Sequence, residues 1–581
     1  MPALLIRYMW KPKIIIKDKR AVQSAMLLAV LVFAGCVGGQ LGQQNSAEYR
    51  NGMVVSASEK ASQVGLNILK KGGNAVDAAV AVQFALAVVY PNAGNIGGGG
   101  FMVYRSASAE TNTLDFREKA GSKASRDMYL DAAGNPVVDK SLDGHLASGV
   151  PGSVEGMVEA HQKYGKLKWA DLIAPAIELA KNGFKISPQQ AGEFNRQKHR
   201  FVKYNPVGTA LVKDSDWKEG DLLVQSELAA TLTLIRDKGR AGFYEGPVAD
   251  SLLAEMKRGG GIITAEDLKN YKAIWRKPVV GNYKEYKIIT MPPPSSGGVA
   301  LIQLLKSVEP YPLKRWGFNA DSTVQVMVEA ERRVYADRAA YLGDPDFFKV
   351  PQTELLNDSY IKSRMAGLNW ERATSSKEIN AGVLKTAEHE ETTHFSIVDR
   401  DGNAVSVTTT LNGSYGSAVV VKGAGFLLNN EMDDFSVKPG APNMYGLVGG
   451  EANAIAPGKR MLSSMTPTIV EKNGELFMIV GTPGGSTIIT SVFQTLVNVI
   501  EFNKTMQAAV DAKKFHHQWL PDTIYVEKGA LDSLTALKLV NKGYPVLERG
   551  NIGRVDAILK TKWGYYQGGA DHRGDDKALG W

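Results

Sequence analysis

The pattern of residue types changes at Thr392. Apolar and polar side chains alternate from Thr392 to Asp399, and Ala404–Leu411 is rich in β-branched residues. Both patterns are typical of strands, and Asp401-Gly402-Asn403 between them is a tight-turn sequence. The two segments are therefore predicted to form a β-hairpin that begins at Thr392.

A second hairpin is predicted further along the chain. Its strands are Thr468–Glu471 and Leu476–Gly481, which turn at Asn473-Gly474. Gly484-Gly485 then opens an apolar helix that is predicted to reach about Phe502. The last third of the chain thus supplies paired strands.

The first two thirds of the chain carry mainly helical patterns. Ser56 and Glu59 have the spacing of a capping box for a first helix that ends at Gly72-Gly73. Further helices are predicted at Ala75–Val89, Ala170–Lys181 and Val324–Tyr341. A sheet core covered by helices needs both parts of the chain, so one interwoven globule is favoured over the several domains that the length suggests.

The net charge of +8 does not indicate a nucleic-acid partner. Residues 1–35 contain six basic side chains and one acidic side chain, so they account for most of the excess. No basic stripe follows them, and we expect no nucleic-acid binding.

The N-terminus has the pattern of an export signal. Basic residues precede the apolar run Ala25–Gly35, which is too short for a comfortable membrane span. Phe33-Ala34-Gly35-Cys36 resembles a bacterial lipobox, with Phe33 where leucine is usual, and Cys36 is the only cysteine of the chain. We expect residues 1–35 to be a signal peptide, residues 36–50 a tether, and the protein to be a periplasmic lipoprotein held to a membrane through Cys36. The alternative is an ordinary export signal with an incidental cysteine.

An ordered set of short motifs carries a family resemblance over residues 50–581. The set is GNIGGGGF (94–101), DFRE (115–118), GVPG (149–152), MPPPSSGG (291–298), GDPDF (343–347), ETTHFS (391–396), LLNNEMDDFS (427–436), LSSMTPT (462–468) and GTPGGS (481–486). Together they resemble the γ-glutamyltranspeptidases, which are N-terminal-nucleophile hydrolases. The resemblance implies an α+β fold, a four-layer αββα sandwich. It also implies a precursor that cleaves itself between Glu391 and Thr392 into a large subunit (51–391) and a small catalytic subunit (392–581), which stay together as a heterodimer.

Thr392 is the nucleophile that this resemblance implies. A threonine hydroxyl needs a base, and an N-terminal threonine carries its own α-amine with a pKa of about 7.7–8.0. An amide nitrogen is not basic, so the uncut precursor is expected to be inactive. Thr410 matches a threonine thought to assist the nucleophile.

The glycine pair Gly484 and Gly485 matches the family's oxyanion hole. Backbone N–H groups at a helix start are unpaired and suit a developing negative charge. A phosphate loop is excluded, because no Gly-Lys-Ser/Thr sequence follows.

The remaining matched positions imply recognition of a γ-glutamyl group. Arg117 matches the arginine for the α-carboxylate, a role that a planar guanidinium fills well. Ser463 and Ser464 match its hydroxyl partners for that carboxylate. The acceptors for the α-ammonium are Asn412, Glu431 and Asp434. A structural ion pair between Arg117 and Asp434 is the alternative interpretation.

The segment Pro439–Gly450, with Tyr445, resembles a lid loop that covers the substrate in some family members. A surface loop with an incidental tyrosine is the alternative. His516-His517 lacks metal-ligand spacing and is interpreted as packing or a hydrogen-bonded pair. We expect no metal or organic cofactor.

The activity implied is transfer and hydrolysis of γ-glutamyl groups from glutathione and related amides, with water, amino acids or dipeptides as acceptors. Three alternatives remain open. They are an acylase for other amides such as glutaryl side chains, an enzyme that transfers or degrades poly-γ-glutamate, and an uncleaved surface lipoprotein that only binds γ-glutamyl peptides.

Overall fold

The computed structural model of the protein describes residues 47–379, 392–440, 447 and 449–581. Its first sheet has seven antiparallel strands, to which both sides of Thr392 contribute. In spatial order they are β19 (Lys577–Gly580), β2 (Met53–Ser56), β10 (Thr393–Val398), β11 (Ala404–Thr410), β3 (Gly99–Arg105), β4 (Thr111–Asp115) and β7 (Ile274–Arg276).

The second sheet also has seven antiparallel strands from both parts of the chain. Its order is β1 (Glu48–Tyr49), β18 (Tyr566–Ala570), β17 (Asp556–Lys560), β13 (Glu475–Gly481), β12 (Thr468–Lys472), β9 (Tyr286–Thr290) and β8 (Val279–Tyr283). Two small sheets join β5 (Phe184–Lys185) to β6 (Leu222–Leu223), and β14 (Phe515–His516) through β15 (Ile524–Glu527) to β16 (Val546–Arg549).

Alternate side chains of each strand enter different cores, which defines the layers. Met53 and Val55 pack with Ile479 between the two sheets. Val54 instead faces the helices that cover the first sheet, and Val480 faces those that cover the second. Period-two alternation with apolar residues on both faces is what a doubly covered sheet requires. The predicted four-layer αββα sandwich is therefore confirmed.

The helices form the two outer layers. Those packed on the first sheet are α1 (Glu59–Lys70), α2 (Ala75–Val89), α4 (Ser153–Tyr164), α5 (Trp169–Asn182), α6 (Pro188–Tyr204), α7 (Ser226–Lys238), α8 (Ala241–Tyr244), α9 (Gly246–Gly259) and α10 (Ala265–Asn270). Those on the second sheet are α11 (Gly297–Val308), α12 (Leu313–Trp316), α13 (Asp321–Tyr341), α14 (Gln352–Leu355), α15 (Asp358–Met365), α16 (Thr487–Ile500), α17 (Met506–Asp511) and α18 (Ser533–Asn541). The short helix α3 (Asp139–Leu142) and three 3₁₀ turns, His145–Ala147, Glu431–Asp434 and Glu451–Asn453, complete the described elements.

The hairpin predicted after Thr392 is present as β10 and β11, with Thr393 paired to Thr409. Asp399 closes its turn, because Oδ1 accepts the amides of Asp401 at 3.0 Å and Asn403 at 2.9 Å. The other oxygen of Asp399 accepts the amide of Ala75 at 2.9 Å, which ties the turn to the start of α2.

The local start of the first helix differs from the prediction. Ser56 does not cap α1, because it lies in β2 and pairs there with Phe395. The helix begins at Glu59 after Ser58, whose side chain makes no capping bond. The hydroxyl of Ser56 lies 2.7 Å from that of Ser62, inside the fold. Pairing in a buried sheet outweighs the local capping pattern here.

Ser46–Trp581 forms one contact unit, in which each large sheet contains strands from before and after Thr392. This agrees with one interwoven globule. Among the described residues, no helix is both long and apolar enough to cross a bilayer. Cys36 and the predicted signal peptide lie outside the described residues, as does Glu391.

Candidate active site

Thr392 lies directly before β10, near the centre of the first sheet, and is 4% exposed. The hairpin register places it beside Thr410, and the two hydroxyl oxygens are 3.5 Å apart. Thr410 Oγ1 also accepts the amide of Asn412 at 2.7 Å. That bond occupies a lone pair of Thr410 and leaves its hydroxyl hydrogen able to point at Thr392. A threonine hydroxyl with a polarising neighbour is thus held at the strand end.

A glycine turn after β13 faces the same place. Gly484 and Gly485 have φ angles of 137° and 49°, which a residue with a side chain adopts only with strain. The carbonyl of Gly484 accepts both the amide and the hydroxyl of Thr487 at 2.8 Å, which fixes the turn at the start of α16. Within the described part of the chain, the amides of Gly484 and Gly485 donate to no protein acceptor. Such N–H groups are suited to an oxyanion.

One cavity joins these elements to charged and polar side chains from distant parts of the chain. Its walls are Arg117, Arg338, Thr392, Thr410, Asn412, Glu431, Asp434, Leu447, Ser463, Ser464, Met465, Gly485 and Ile488. The structure therefore brings together nearly every site residue predicted from the sequence. Gly484 is the immediate neighbour of the cavity residue Gly485. Tyr445, predicted in the lid loop, lies outside the described residues.

Arg117 is the centre of charge in this cavity. Its Nη1 lies 2.7 Å from Glu431 Oε2, and its Nη2 pairs with Asp434. Glu118 contributes a third carboxylate 3.6 Å from Nη1. The ion pair of the alternative interpretation is therefore present, and it forms part of the cavity wall.

The electrostatics of this cluster follow from its burial. Burial is the main cause that raises the pKa of Asp434 and of Glu431, and it raises the pKa of Glu118 to about 8. Burial disfavours the charged form of Arg117, but Glu431, Asp434 and Glu118 outweigh it and raise the pKa of Arg117. Three carboxyl groups share one guanidinium, so the cluster can accommodate a further cation.

The two serines of LSSMTPT also line the cavity. Ser463 Oγ accepts the amide of Met465 at 3.1 Å, and Ser464 Oγ accepts Nη2 of Arg338 at 3.1 Å. Each hydroxyl is an acceptor in these bonds and so keeps its own hydrogen for a bond into the cavity. Donors of this kind suit a carboxylate.

Sequence reasoning missed several cavity residues, of which Arg338 carries the most chemistry. It lies in α13, a helix that was predicted from the sequence at Val324–Tyr341 without any site residue. The burial of nearly all faces of this helix, which marks Arg338 as unusual, is known only from the structure. Three apolar residues that had been given no role also line the cavity: Met465 of the LSSMTPT motif, Leu447 of the predicted lid segment, and Ile488.

The predicted histidine pair is hydrogen-bonded and buried. His516 Nδ1 lies 2.8 Å from the hydroxyl of Thr490, and His517 Nε2 lies 3.2 Å from Asp522. Burial lowers the pKa of His516 to about 3 and that of His517 to about 4.

The αββα sandwich, with a buried threonine at the start of a central strand, is the fold of an N-terminal-nucleophile hydrolase. The family model for γ-glutamyltranspeptidase matches residues 61–581. The chain belongs to the γ-glutamyltranspeptidase family.

Relatives and solved structures agree with this placement. The chain is 47% identical over 536 residues to a glutathione hydrolase proenzyme of Escherichia coli strain K12, covering 92% of each chain. It is similar to the crystal structure of Helicobacter pylori γ-glutamyltranspeptidase, with 48% identity, a TM-score of 0.55 and coverage of 57% of this chain and 96% of that one. A cephalosporin acylase from Bacillus halodurans shares the fold with a TM-score of 0.79 at 26% identity, covering 93% of this chain and 97% of that one.

Proposed function

We propose that this enzyme cleaves itself between Glu391 and Thr392 and then transfers γ-glutamyl groups through a γ-glutamyl-Thr392 intermediate. Glutathione and other γ-glutamyl amides are the donors; water, amino acids or dipeptides are the acceptors. The observation that carries the proposal is a single cavity in which Thr392 and Gly485 face Arg117, Asp434 and the two serines. The name of the Escherichia coli relative, glutathione hydrolase proenzyme, supports the same reaction and a processed precursor.

The chemistry starts at the Thr392 hydroxyl. Once the α-amine of Thr392 is released, it takes the hydroxyl proton while the oxygen attacks the γ-amide carbonyl. The amide N–H groups of Gly484 and Gly485 hold the oxyanion, and the amine leaves with the transferred proton. Thr410, 3.5 Å from the nucleophile, orients its hydroxyl. Water or an acceptor amine then attacks the ester, and Thr392 is regenerated.

The charged and polar side chains of the cavity suit the two charges of a γ-glutamyl group. Arg117, Ser463 and Ser464 would hold the α-carboxylate, and Asn412, Glu431 and Asp434 would hold the α-ammonium. In the ligand-free arrangement Arg117 pairs with Glu431 and Asp434. The α-carboxylate of a bound zwitterion would pair with Arg117, and its α-ammonium would pair with Glu431 and Asp434. The net charge of the cavity would not change.

A glutaryl acylase is the second candidate, because the fold is shared with a cephalosporin acylase. A glutaryl group has no α-amine. The carboxylates of Glu431 and Asp434 on the cavity wall therefore favour the γ-glutamyl substrate.

We also propose that the protein is exported and carries a lipid anchor at Cys36. The residue pattern of the N-terminus is what supports this part of the proposal. Labelling with a fatty acid tests the anchor. We expect label on the wild type and its loss in Cys36→Ser, whereas an unlabelled wild type contradicts the anchor.

The test of the reaction is amine release from a γ-glutamyl anilide, with and without glycylglycine, using Thr392→Ala as the blank. We expect release by the wild type alone, an increase with the dipeptide, and two bands on a denaturing gel for the wild type against one for Thr392→Ala. A protein that splits but releases amine only from a glutaryl anilide would be the acylase. An unsplit, inactive wild type would favour a binding lipoprotein.

A further inference from the structure

Arg338 is a buried arginine on α13 that forms no ion pair with a carboxylate among the described residues. It is 5% exposed, and within the described part of the chain its side chain donates hydrogen bonds to two hydroxyls. Its Nε donates to Ser296 Oγ at 2.9 Å, and its Nη2 donates to Ser464 Oγ at 3.1 Å. Neighbouring arginines of the same helix are paired, such as Arg333 with Glu329. A guanidinium out of water without an anion costs free energy that a bound anion would recover.

The hydrogen bonds around Arg338 fix which of its two serine partners can still donate to a ligand. Ser296 donates its own hydrogen to the carbonyl of Ser463 at 2.6 Å and accepts from Arg338, so it is fully engaged. Ser464 accepts from Arg338 and keeps its hydrogen for the cavity, which both residues line. A charged donor behind a hydroxyl polarises it and strengthens the bond that the hydroxyl makes on its other side.

The nearest carboxylate in the cavity is already used. Asp434 pairs with Arg117, and it acts on Arg338 only at longer range. Burial lowers the pKa of Arg338, and Asp434 opposes this only in part. The guanidinium therefore contributes a positive potential to the side of the cavity where the two serines lie.

We infer that Arg338 is a specificity-determining residue for the α-carboxylate of the donor, which it holds through Ser464 as a second cation beside Arg117. This inference rests on the proposed function, because it assigns a role within the same substrate site. A substrate without the carboxylate gains nothing from Arg338.

The experiment compares three anilides. The γ-glutamyl anilide carries both charges, the glutaryl anilide lacks the α-ammonium, and the 4-aminobutyryl anilide lacks the α-carboxylate. For Arg338→Gln we expect kcat/KM to fall about 10- to 100-fold for both substrates that carry the carboxylate, mainly through KM. For 4-aminobutyryl anilide we expect a change of less than about threefold. Inhibition of γ-glutamyl anilide turnover by glutaric monoamide and by 4-aminobutyramide repeats the comparison with compounds that only need to bind.

Two further variants separate this role from a structural one. Arg338→Lys keeps a charge but cannot donate to Ser296 and Ser464 at the same time as the guanidinium does. We therefore expect a smaller loss of kcat/KM with the same substrate pattern. This variant takes the place of Arg338→Gln if Arg338→Gln does not self-cleave. Arg333→Gln breaks a buried pair on the same helix away from the cavity, and we expect a lower melting temperature with unchanged substrate ratios.

An equal loss on all three anilides in the Arg338 variants would overturn the inference while the proposed function stands. A wild type that processes none of the γ-glutamyl anilide would overturn the proposed function and this inference with it.

Discussion

The acid sensitivity of this fold should depend strongly on His394. This residue lies two positions after Thr392 and is fully buried, and its ring faces Gly481 of the second sheet. Its Nδ1 is 2.9 Å from the hydroxyl of Thr408, and its Nε2 is 3.0 Å from that of Ser396. Burial lowers the pKa of His394 from its ordinary 6.5 to about 3. The folded protein therefore holds this ring neutral.

The sign of the pH effect follows from where the proton binds. Below pH 6.5 the unfolded chain protonates His394 while the folded protein does not until about pH 3. The stability associated with this residue is complete above pH 6.5 and is lost as the pH falls toward 3. By proton linkage, the loss between about pH 7.5 and pH 5 is about 2 kcal/mol.

The perturbation is His394→Gln, which removes the titrating ring. We expect the variant to be less stable at neutral pH but to lose about 2 kcal/mol less than its parent on acidification. Urea unfolding at both pH values measures the difference, in a Thr392→Ala background so that the covalent state of the chain is the same in every sample. His199→Gln, at an exposed helix position, is the control and should follow the parent. Equal losses for parent and His394→Gln would refute the reasoning, since they would mean that the folded state protonates His394 readily.

Three other predictions test the packing and the site. Gly481→Ala should destabilise the protein by about 1–3 kcal/mol in urea unfolding, because the new methyl would lie 2.3 Å from His394 Cε1; an unchanged midpoint would contradict that packing. Thr410→Val keeps the shape of the side chain and should lower kcat for γ-glutamyl anilide about tenfold or more, whereas Thr410→Ser should retain most of the wild-type kcat. Equal kcat values for the two variants would show that the Thr410 hydroxyl has no part in the reaction. Asp434→Asn should raise KM for γ-glutamyl anilide about tenfold and leave glutaryl anilide within about threefold, and a parallel rise for both would argue against an ammonium site.

The hairpins were predictable because their patterns are local. Gly402 in the first hairpin and Asn473-Gly474 in the second supply the left-handed backbone that a tight turn needs, with φ angles of 91°, 53° and 80°. The same holds for α2, whose cap Asn74 and capping-box partner Asp77 sit within one turn.

Ser56 shows where local reasoning fails. Its spacing to Glu59 satisfies the capping pattern, yet the residue pairs with Phe395 in a strand from the other part of the chain. Phe395 is far from Ser56 in the sequence, so the local capping pattern could not reveal that Ser56 forms part of a strand and not of a helix cap.

The sequence by itself determined the family, through ordered motifs. It also determined the hairpins and the main helices, because the periodicity of apolar and polar side chains that predicts them is local. Only the tertiary structure decided which charges face one another. Arg117 meets Glu431 and Asp434 across more than 300 positions, and Arg338 reaches Ser464 from a helix that carried no motif. Burial then sets the pKa values of these groups, and burial is a property of the packed sheets rather than of any segment.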